Sequence, residues 1–143
     1  MQHTLFNGET KTGITAFWIA EGLDTGLIAA HDSLDILQQD DANTLFDKLI
    51  KLGLNTLSGV VKDIESGKII KIPQQGEPSL APMIEKPDTV VKFGAMSAEK
   101  IHNLARGLSG GMPAFAKAVM PNGETVQLLK TSLKPLPVQK QGN

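Results

Sequence analysis

The hydrophobic pattern is most regular between residues 42 and 64. Nine apolar residues there follow the spacing of an amphipathic helix: Ala42, Leu45, Phe46, Leu49, Ile50, Leu54, Leu57, Val61 and Ile64. Asp40, Asp41 and Asn43 offer N-terminal caps, because short polar side chains accept hydrogen bonds from the first free amides of a helix. Gly53 predicts an interruption or an end of this helix, and Gly67 is suited to end its second part.

Two shorter apolar segments upstream predict strands. Residues 12–20 carry apolar side chains in both alternate sets, which is typical of a strand covered on both faces of an α/β sheet. Residues 27–31 predict a second short strand. Leu5 and Phe6, followed closely by Gly8, predict the last turn of a helix that ends at a glycine. The order of helices and strands favours the α/β class.

The second half of the chain is broken up by prolines and glycines. Residues 68–94 contain four prolines among short apolar pieces, which predicts a long ordered connection with two short strands. Ser97 can cap a helix that ends at Gly107. Two apolar segments flank Asn122-Gly123, a dipeptide typical of a β-hairpin turn. From Lys134 the polar tail is expected to fray. We expect one unit over residues 1–107 and the start of another, mostly β, over residues 108–143.

Composition narrows the function classes. The 143 residues are 41% hydrophobic and 20% charged, which is typical of one globular domain with a small appendage. A net charge of −1 gives no strong attraction to nucleic acid or anionic lipid. The chain has no cysteine and three histidines, which excludes disulfides and thiolate chemistry and disfavours a structural zinc site. We see no signal peptide and no segment long enough to span a membrane, so we expect a cytoplasmic protein.

One carboxylate lies in a setting that suggests catalysis. Asp24 stands between Gly22 and Gly26 in a short loop after the predicted strand, where open α/β sheets place their sites. Glycines allow a backbone to approach a ligand closely. An aspartate in such a loop also commonly stabilises the turn through its own backbone. The spacing alone leaves both interpretations open.

Several motifs, in order, resemble one known family. Thr12-Gly13-Ile14-Thr15 and Glu21-Gly22-Leu23-Asp24-Thr25-Gly26 resemble the "TG(V/I)T…(D/E)GLDTG" segment of the 10-formyltetrahydrofolate-dependent formyltransferases. That family includes methionyl-tRNA formyltransferase and the hydrolase domain of formyltetrahydrofolate dehydrogenase. Five further segments match family motifs in the expected order along the chain, namely Asn7–Glu9, Asn43–Leu49, Pro78–Ile84, Val90–Phe93 and Ala98–Gly107. The resemblance covers nearly the whole chain.

The resemblance implies a fold, a donor and a set of site residues. The fold would be the carboxyl-terminal half of a Rossmann-like formyltransferase domain, followed by the first β-hairpin of a truncated barrel-like domain. The formyl donor would be 10-formyltetrahydrofolate, and Asp24 would be the catalytic acid and base, since a carboxylate can both accept and return a proton. The residues implied to bind folate are Gly22, Leu23, Thr25, Gly26 and Trp18, while Trp18 and Phe17 are also typical core residues.

The chain also departs from the family pattern. It contains no Asn-x-His loop, which in the family polarises the formyl oxygen, so we expect little activity from this chain alone. The acceptor stays open among methionyl-tRNA, a sugar nucleotide, glycinamide ribonucleotide and water. Only a few lysines, Lys117, Lys130, Lys134 and Lys140, could hold tRNA. The alternative is an inactive remnant that serves in dimerisation or binding, and either form is expected to associate with a missing amino-terminal half or with itself.

Two polar residues of the segment Ala98–Gly107 are candidates for structural roles. His102 lies beside an apolar helix stripe, and a lone histidine there is more often structural than a ligand. Arg106 directly precedes Gly107 and is expected to hold the helix end or a junction between units by hydrogen bonds.

Overall fold

The computed structural model describes residues 1–133, so the predicted polar tail from Lys134 lies outside the described residues. This part of the chain has an α/β fold whose elements, in chain order, are α1 (Gln2–Phe6), β1 (Lys11–Phe17), β2 (Ile28–Asp35), α2 (Ala42–Glu65), β3 (Val90–Val91), α3 (Ala98–Gly107), β4 (Ala116–Val119) and β5 (Thr125–Leu128). A 3-10 turn, Lys86–Thr89, directly precedes β3. None of the described helices combines the length and the apolar character that crossing a membrane requires.

Strands β1 and β2 form an antiparallel hairpin. The pairing runs from Lys11 opposite Asp35 to Ala16 opposite Ala30, with an irregularity just before Phe17. The prediction of a strand over residues 12–20 that is covered on both faces was wrong. The strand ends at Phe17, and none of its side chains is fully buried, because within residues 1–133 only α2 makes extensive contact with the hairpin.

Helix α2 is continuous over 24 residues, so the predicted interruption at Gly53 was wrong. Gly53 faces the hairpin, where a Cβ atom built on it would lie 3.7 Å from Ile14 Cγ2. Packing against β1 therefore outweighs the low helix propensity of one glycine. Asp41 is the N-cap among the three candidates, and its Oδ1 accepts a hydrogen bond from the Thr44 amide at 2.9 Å. The helix ends at Ser66 and Gly67, as predicted.

One side of α2 is apolar and partly exposed. Six large side chains on it are between 41% and 61% exposed: Phe46, Ile50, Leu54, Leu57, Val61 and Ile64. We call these six residues the outer stripe. Their spacing follows the helical repeat, so they form one continuous face. A stripe of this kind marks an interaction surface more often than a solvated one.

A second, three-stranded sheet follows the long connection. Strand β3 pairs parallel with β4, and β4 pairs antiparallel with β5 around the predicted Asn122-Gly123 turn. The buried side chains Val91, Leu104, Ala105, Leu108, Ala116 and Ala118 join this sheet to α3. The predicted cap of α3 is confirmed, since Ser97 Oγ accepts a hydrogen bond from the Lys100 amide. The β4–β5 hairpin thus shares a core with α3, while a division into units at residue 107 stays a prediction.

Candidate active site

The loop over residues 18–27 connects β1 to β2 and carries Asp24 near its tip. Two hydrogen bonds within the loop fix its shape. At its base the Trp18 amide donates to the Leu27 carbonyl at 2.9 Å. Nearer the tip, Thr25 Oγ1 donates to the Gly22 carbonyl at 3.1 Å.

A residue from the long connection holds the loop from outside. Gln74 Nε2 donates to the Asp24 carbonyl at 2.7 Å and to the Gly26 carbonyl at 2.8 Å. The connection reaches this position because Ile72 and Ile28 exchange two backbone hydrogen bonds, which continues the sheet by one bridge. Sequence reasoning missed Gln74, since a glutamine in a proline-rich stretch carries no local signal for a partner 50 residues away.

Asp24 adopts an unusual backbone conformation with a free side chain. Its φ of 54° lies in the left-handed region, which aspartate tolerates better than most residues. Its carboxylate is exposed and makes no hydrogen bond or ion pair with the residues that the structure describes. The turn is therefore held by Thr25 and Gln74, not by the Asp24 side chain as the alternative interpretation requires. The carboxylate is available to a ligand.

Both glycines of the loop are required by packing. Gly26 is buried, and a Cβ atom on it would overlap the carbonyl oxygen of Trp18. A Cβ atom on Gly22 would lie 2.6 Å from Thr25 Oγ1, which is the hydroxyl that closes the tip. Each glycine thus lets a backbone segment pack where a side chain would not fit.

Trp18 lies half-buried at the base of the loop. Its Nε1 donates to the Ile70 carbonyl at 2.8 Å, and Lys71 Nζ lies 5.8 Å from the centre of its ring. The space left next to the ring is about 10 Å³, which holds one water molecule at most. Trp18 is half-buried and belongs to neither hydrophobic core cluster, so its predicted core role and its role in binding folate both stay predictions. Phe17 is 40% exposed, so its predicted core role was wrong.

The surface around Asp24 is open and apolar. Ile19 is 96% exposed and Leu23 is 91% exposed, on either side of the loop tip. Neither the pocket beside Trp18 nor a larger cavity near α3 is lined by Asp24. Asp24 therefore lies on the exposed surface of the loop and not in either of these two cavities. Across residues 1–133, no three acidic, histidine or cysteine side chains come together in a way that could hold a metal ion.

Arg106 and His102 have the structural roles that the sequence predicts. Arg106 Nε donates to Asn103 Oδ1 at 2.9 Å, and its Nη1 donates to the carbonyls of Leu37 and Asp40 at 3.3 and 3.4 Å. The arginine thereby ties α3 to the loop that precedes α2. His102 Nδ1 lies 2.8 Å from Thr131 Oγ1, which joins α3 to the segment after β5.

Fold and loop together define an α/β domain with one free carboxylate in a glycine-bounded loop. The sequence profile of the family described as "Formyl transferase" matches residues 1–61. A methionyl-tRNA formyltransferase from Elusimicrobium minutum is 44% identical to the chain over 153 residues, which cover 93% of the chain and 45% of that relative. The chain belongs to the formyltransferase family. It spans about half of the length of this relative.

Two solved structures share the fold. The methionyl-tRNA formyltransferase from Clostridium thermocellum superposes with a TM-score of 0.66 at 22% identity, over 88% of this chain and 58% of that one. HypX from Aquifex aeolicus in complex with tetrahydrofolic acid gives a TM-score of 0.68 at 17% identity, over 82% of this chain and 20% of that one. At these identities the likeness establishes the fold.

Proposed function

We propose that this chain carries the acid–base part of a formyl-transfer site, with Asp24 as the catalytic residue. The observation that supports it best is the free carboxylate of Asp24 in a loop whose shape does not depend on that carboxylate. A group that must accept and return a proton needs oxygen atoms that are not already engaged by the protein. The reaction would be transfer of a formyl group to an amine or to water.

The formyl donor that fits this family is 10-formyltetrahydrofolate. A protein with the same fold, HypX from Aquifex aeolicus, has been solved in complex with tetrahydrofolic acid. When bound, the donor supplies the formyl group from its N10 nitrogen. The exposed side chains of Ile19 and Leu23 suit contact with an apolar ring system, because apolar surface gains by leaving water. The backbone beside that ring would be shaped by Gly22, Thr25 and Gly26. Trp18 would support the loop at its base.

Asp24 would move one proton during the transfer. Its carboxylate accepts the proton that the attacking amine or water loses as the new bond to the formyl carbon forms. It then gives a proton to N10 as the old carbon–nitrogen bond breaks, so the carboxylate ends as it began. Polarisation of the formyl oxygen needs hydrogen-bond donors opposite Asp24. We expect the rest of a formyltransferase domain to provide these donors.

A complementation assay tests this proposal. Formyl release from 10-formyltetrahydrofolate is measured with the chain alone, and again with the part of a full-length relative that the chain does not match. We expect release only in the mixture, and we expect Asp24→Asn to abolish it. Glu21→Gln, which removes a carboxylate from the same exposed loop, is the matched control and should leave release unchanged. Equal rates for Asp24→Asn and the unchanged chain would refute the role of Asp24.

The outer stripe of α2 supports a second candidate function, a dimerisation or binding module without catalysis. Six exposed apolar side chains on one helix face favour burial against a protein surface. Light scattering of the chain and of Leu54→Ser/Leu57→Ser tests this candidate. A dimer that these substitutions dissociate, with no formyl release in any mixture, favours it. A monomer in both samples counts against dimerisation.

A further inference from the structure

A cavity lies at the opposite end of the β1–β2 hairpin from Asp24. It has a volume of about 600 Å³ and opens between the loop before α2, one side of α3 and the segment after β5. Strand β2 has eight residues and rises about 3.3 Å per residue, so roughly 20 Å separates the cavity from the active-site loop. No residue of the loop over residues 18–27 lines it. The cavity is therefore a separate feature from the site proposed above.

Arg106 presents part of its guanidinium group to this cavity. Its Nε and Nη1 are engaged with Asn103, Leu37 and Asp40, whereas Nη2 makes no hydrogen bond with any residue that the structure describes. Burial lowers the pKa of Arg106, while the nearby acidic groups Asp40 and Glu99 act in the opposite direction. The guanidinium stays protonated at any physiological pH. It is thus a fixed and partly desolvated cation with two N–H groups to offer.

Other donors line the same cavity. Lys130 is exposed and forms no ion pair within residues 1–133. The Ser109 hydroxyl accepts a hydrogen bond from the Ala42 amide at 3.1 Å, which leaves its own hydrogen atom free to be donated. Thr131 adds a hydroxyl group that already contacts His102. The cavity therefore combines two cations with hydroxyl donors.

Two acidic groups line the cavity, and both accept hydrogen bonds from other parts of the chain. Asp40 is only 4% exposed, and Lys48 Nζ lies 2.7 Å from each of its carboxylate oxygens. The Leu37 amide donates a further hydrogen bond to Asp40 Oδ2 at 2.8 Å. Asp41 caps α2 through Thr44. Asp41 keeps its negative charge while it caps the helix, whereas the charge of Asp40 is matched by Lys48. Arg106 and Lys130 thus bring two positive charges against the one negative charge of Asp41, so the lining keeps a net positive charge.

We propose that this cavity binds a phosphate group carried by a small organic molecule. A guanidinium edge, an ammonium group and hydroxyl donors match the several acceptor oxygens of a phosphate monoester. The volume exceeds what a lone phosphate ion fills, which leaves room for a body of about the size of a sugar. This binding does not depend on formyl transfer at Asp24, because the two sites share no residue.

Phosphate titration followed by proton NMR of the histidine rings tests the proposal. His102 lines the cavity, whereas His3 contacts the Pro82 carbonyl and His31 contacts Thr15, so these two serve as internal controls. The probes are inorganic phosphate, ribose 5-phosphate and acetate. We expect both phosphates to shift the His102 signals alone, with tighter binding of ribose 5-phosphate, and we expect acetate to have little effect.

Substitutions test whether Arg106 and Lys130 are responsible for the binding of phosphate. Arg106→Lys keeps the charge and removes the guanidinium edge, and we expect it to weaken binding about tenfold. Lys130 makes no hydrogen bond within residues 1–133, so Lys130→Gln should fold normally and can still test the role of the cations if Arg106→Lys unfolds the chain. We expect Lys130→Gln to weaken binding several-fold and Lys51→Gln, an exposed lysine on α2, to have no effect. Equal effects of the two glutamine variants, no shift of His102 at about 50 mM phosphate, or binding of acetate as tight as that of phosphate would overturn the proposal.

Discussion

Replacing Gly26 by alanine is expected to destabilise the loop over residues 18–27 strongly. The added Cβ atom would overlap the Trp18 carbonyl oxygen, which is a backbone atom and has no rotamer by which to move away. Relief requires a backbone shift, and overpacking of this kind costs about 1–3 kcal/mol. The same shift strains the bonds from Gln74 Nε2 to the Gly26 carbonyl and from the Trp18 amide to Leu27, each worth about 1 kcal/mol. We therefore expect the free energy of unfolding to fall by roughly 2–4 kcal/mol.

Urea unfolding followed by tryptophan fluorescence measures this change. Trp18 is the only tryptophan in the chain and adjoins the perturbed loop, so its emission reports on the relevant region. Gly59→Ala is the matched control, because a Cβ atom on Gly59 meets nothing within 4 Å and a glycine inside a helix costs about 0.5–1 kcal/mol relative to alanine. That variant should be more stable than the unchanged chain. A loss below about 0.5 kcal/mol in Gly26→Ala would show that the loop relaxes freely and that the packing argument is wrong.

Three more substitutions give independent checks. Gln74→Ala removes both hydrogen bonds to the loop, and should lower the free energy of unfolding by about 1–2 kcal/mol. It should also speed hydrogen exchange of the Trp18 amide, and an unchanged exchange rate would count against Gln74 as an anchor of the loop. Lys48→Met leaves the buried Asp40 carboxylate without its cation. It should lower the free energy of unfolding by about 1–3 kcal/mol, a moderate loss because the Lys48 side chain is 37% exposed. Part of the loss should be recovered in Lys48→Met/Asp40→Asn, and an additive double-mutant cycle would contradict the pairing. Gly53→Ala should raise stability by about 0.5–1 kcal/mol in urea unfolding, since its Cβ atom would make ordinary contacts with Ile14; a loss would mean that the helix lies closer to β1 than described.

Local signals in the sequence predicted the helices well and the sheet less well. The caps at Asp41 and Ser97 and the turn at Asn122-Gly123 depend on neighbouring residues, so a sequence carries them directly. The strand over residues 12–20 was predicted to be covered on both faces because its apolar residues occupy both alternate sets. Hydrophobicity states what a strand can bury, but the layers present around it decide what it does bury. Gly53 shows the same limit, since its contact with Ile14 is a tertiary one.

The sequence likewise predicted only part of the candidate site. The glycine spacing around Asp24 pointed to the loop, and a Cβ atom on either glycine would clash within that loop, on Gly22 with Thr25 and on Gly26 with Trp18. Gln74 and the contact of Trp18 with Ile70 could not be foreseen, because both partners lie about 50 residues away in a stretch without periodicity. The free state of the Asp24 carboxylate could not be foreseen either. It follows from Thr25 and Gln74 taking over the roles that an aspartate often fills in a turn.

The free carboxylate also makes Asp24→Asn an informative substitution. Asparagine tolerates the left-handed backbone at least as well as aspartate, and Asp24 uses neither carboxylate oxygen to hold the loop. The change therefore removes a proton acceptor and leaves the shape of the loop as it is. Asp24→Ala would instead add backbone strain of roughly 1 kcal/mol at a φ of 54°, so a loss of activity in that variant would mix chemistry with structure. Formyl release that disappears in Asp24→Asn while the urea midpoint is unchanged would assign the loss to proton transfer.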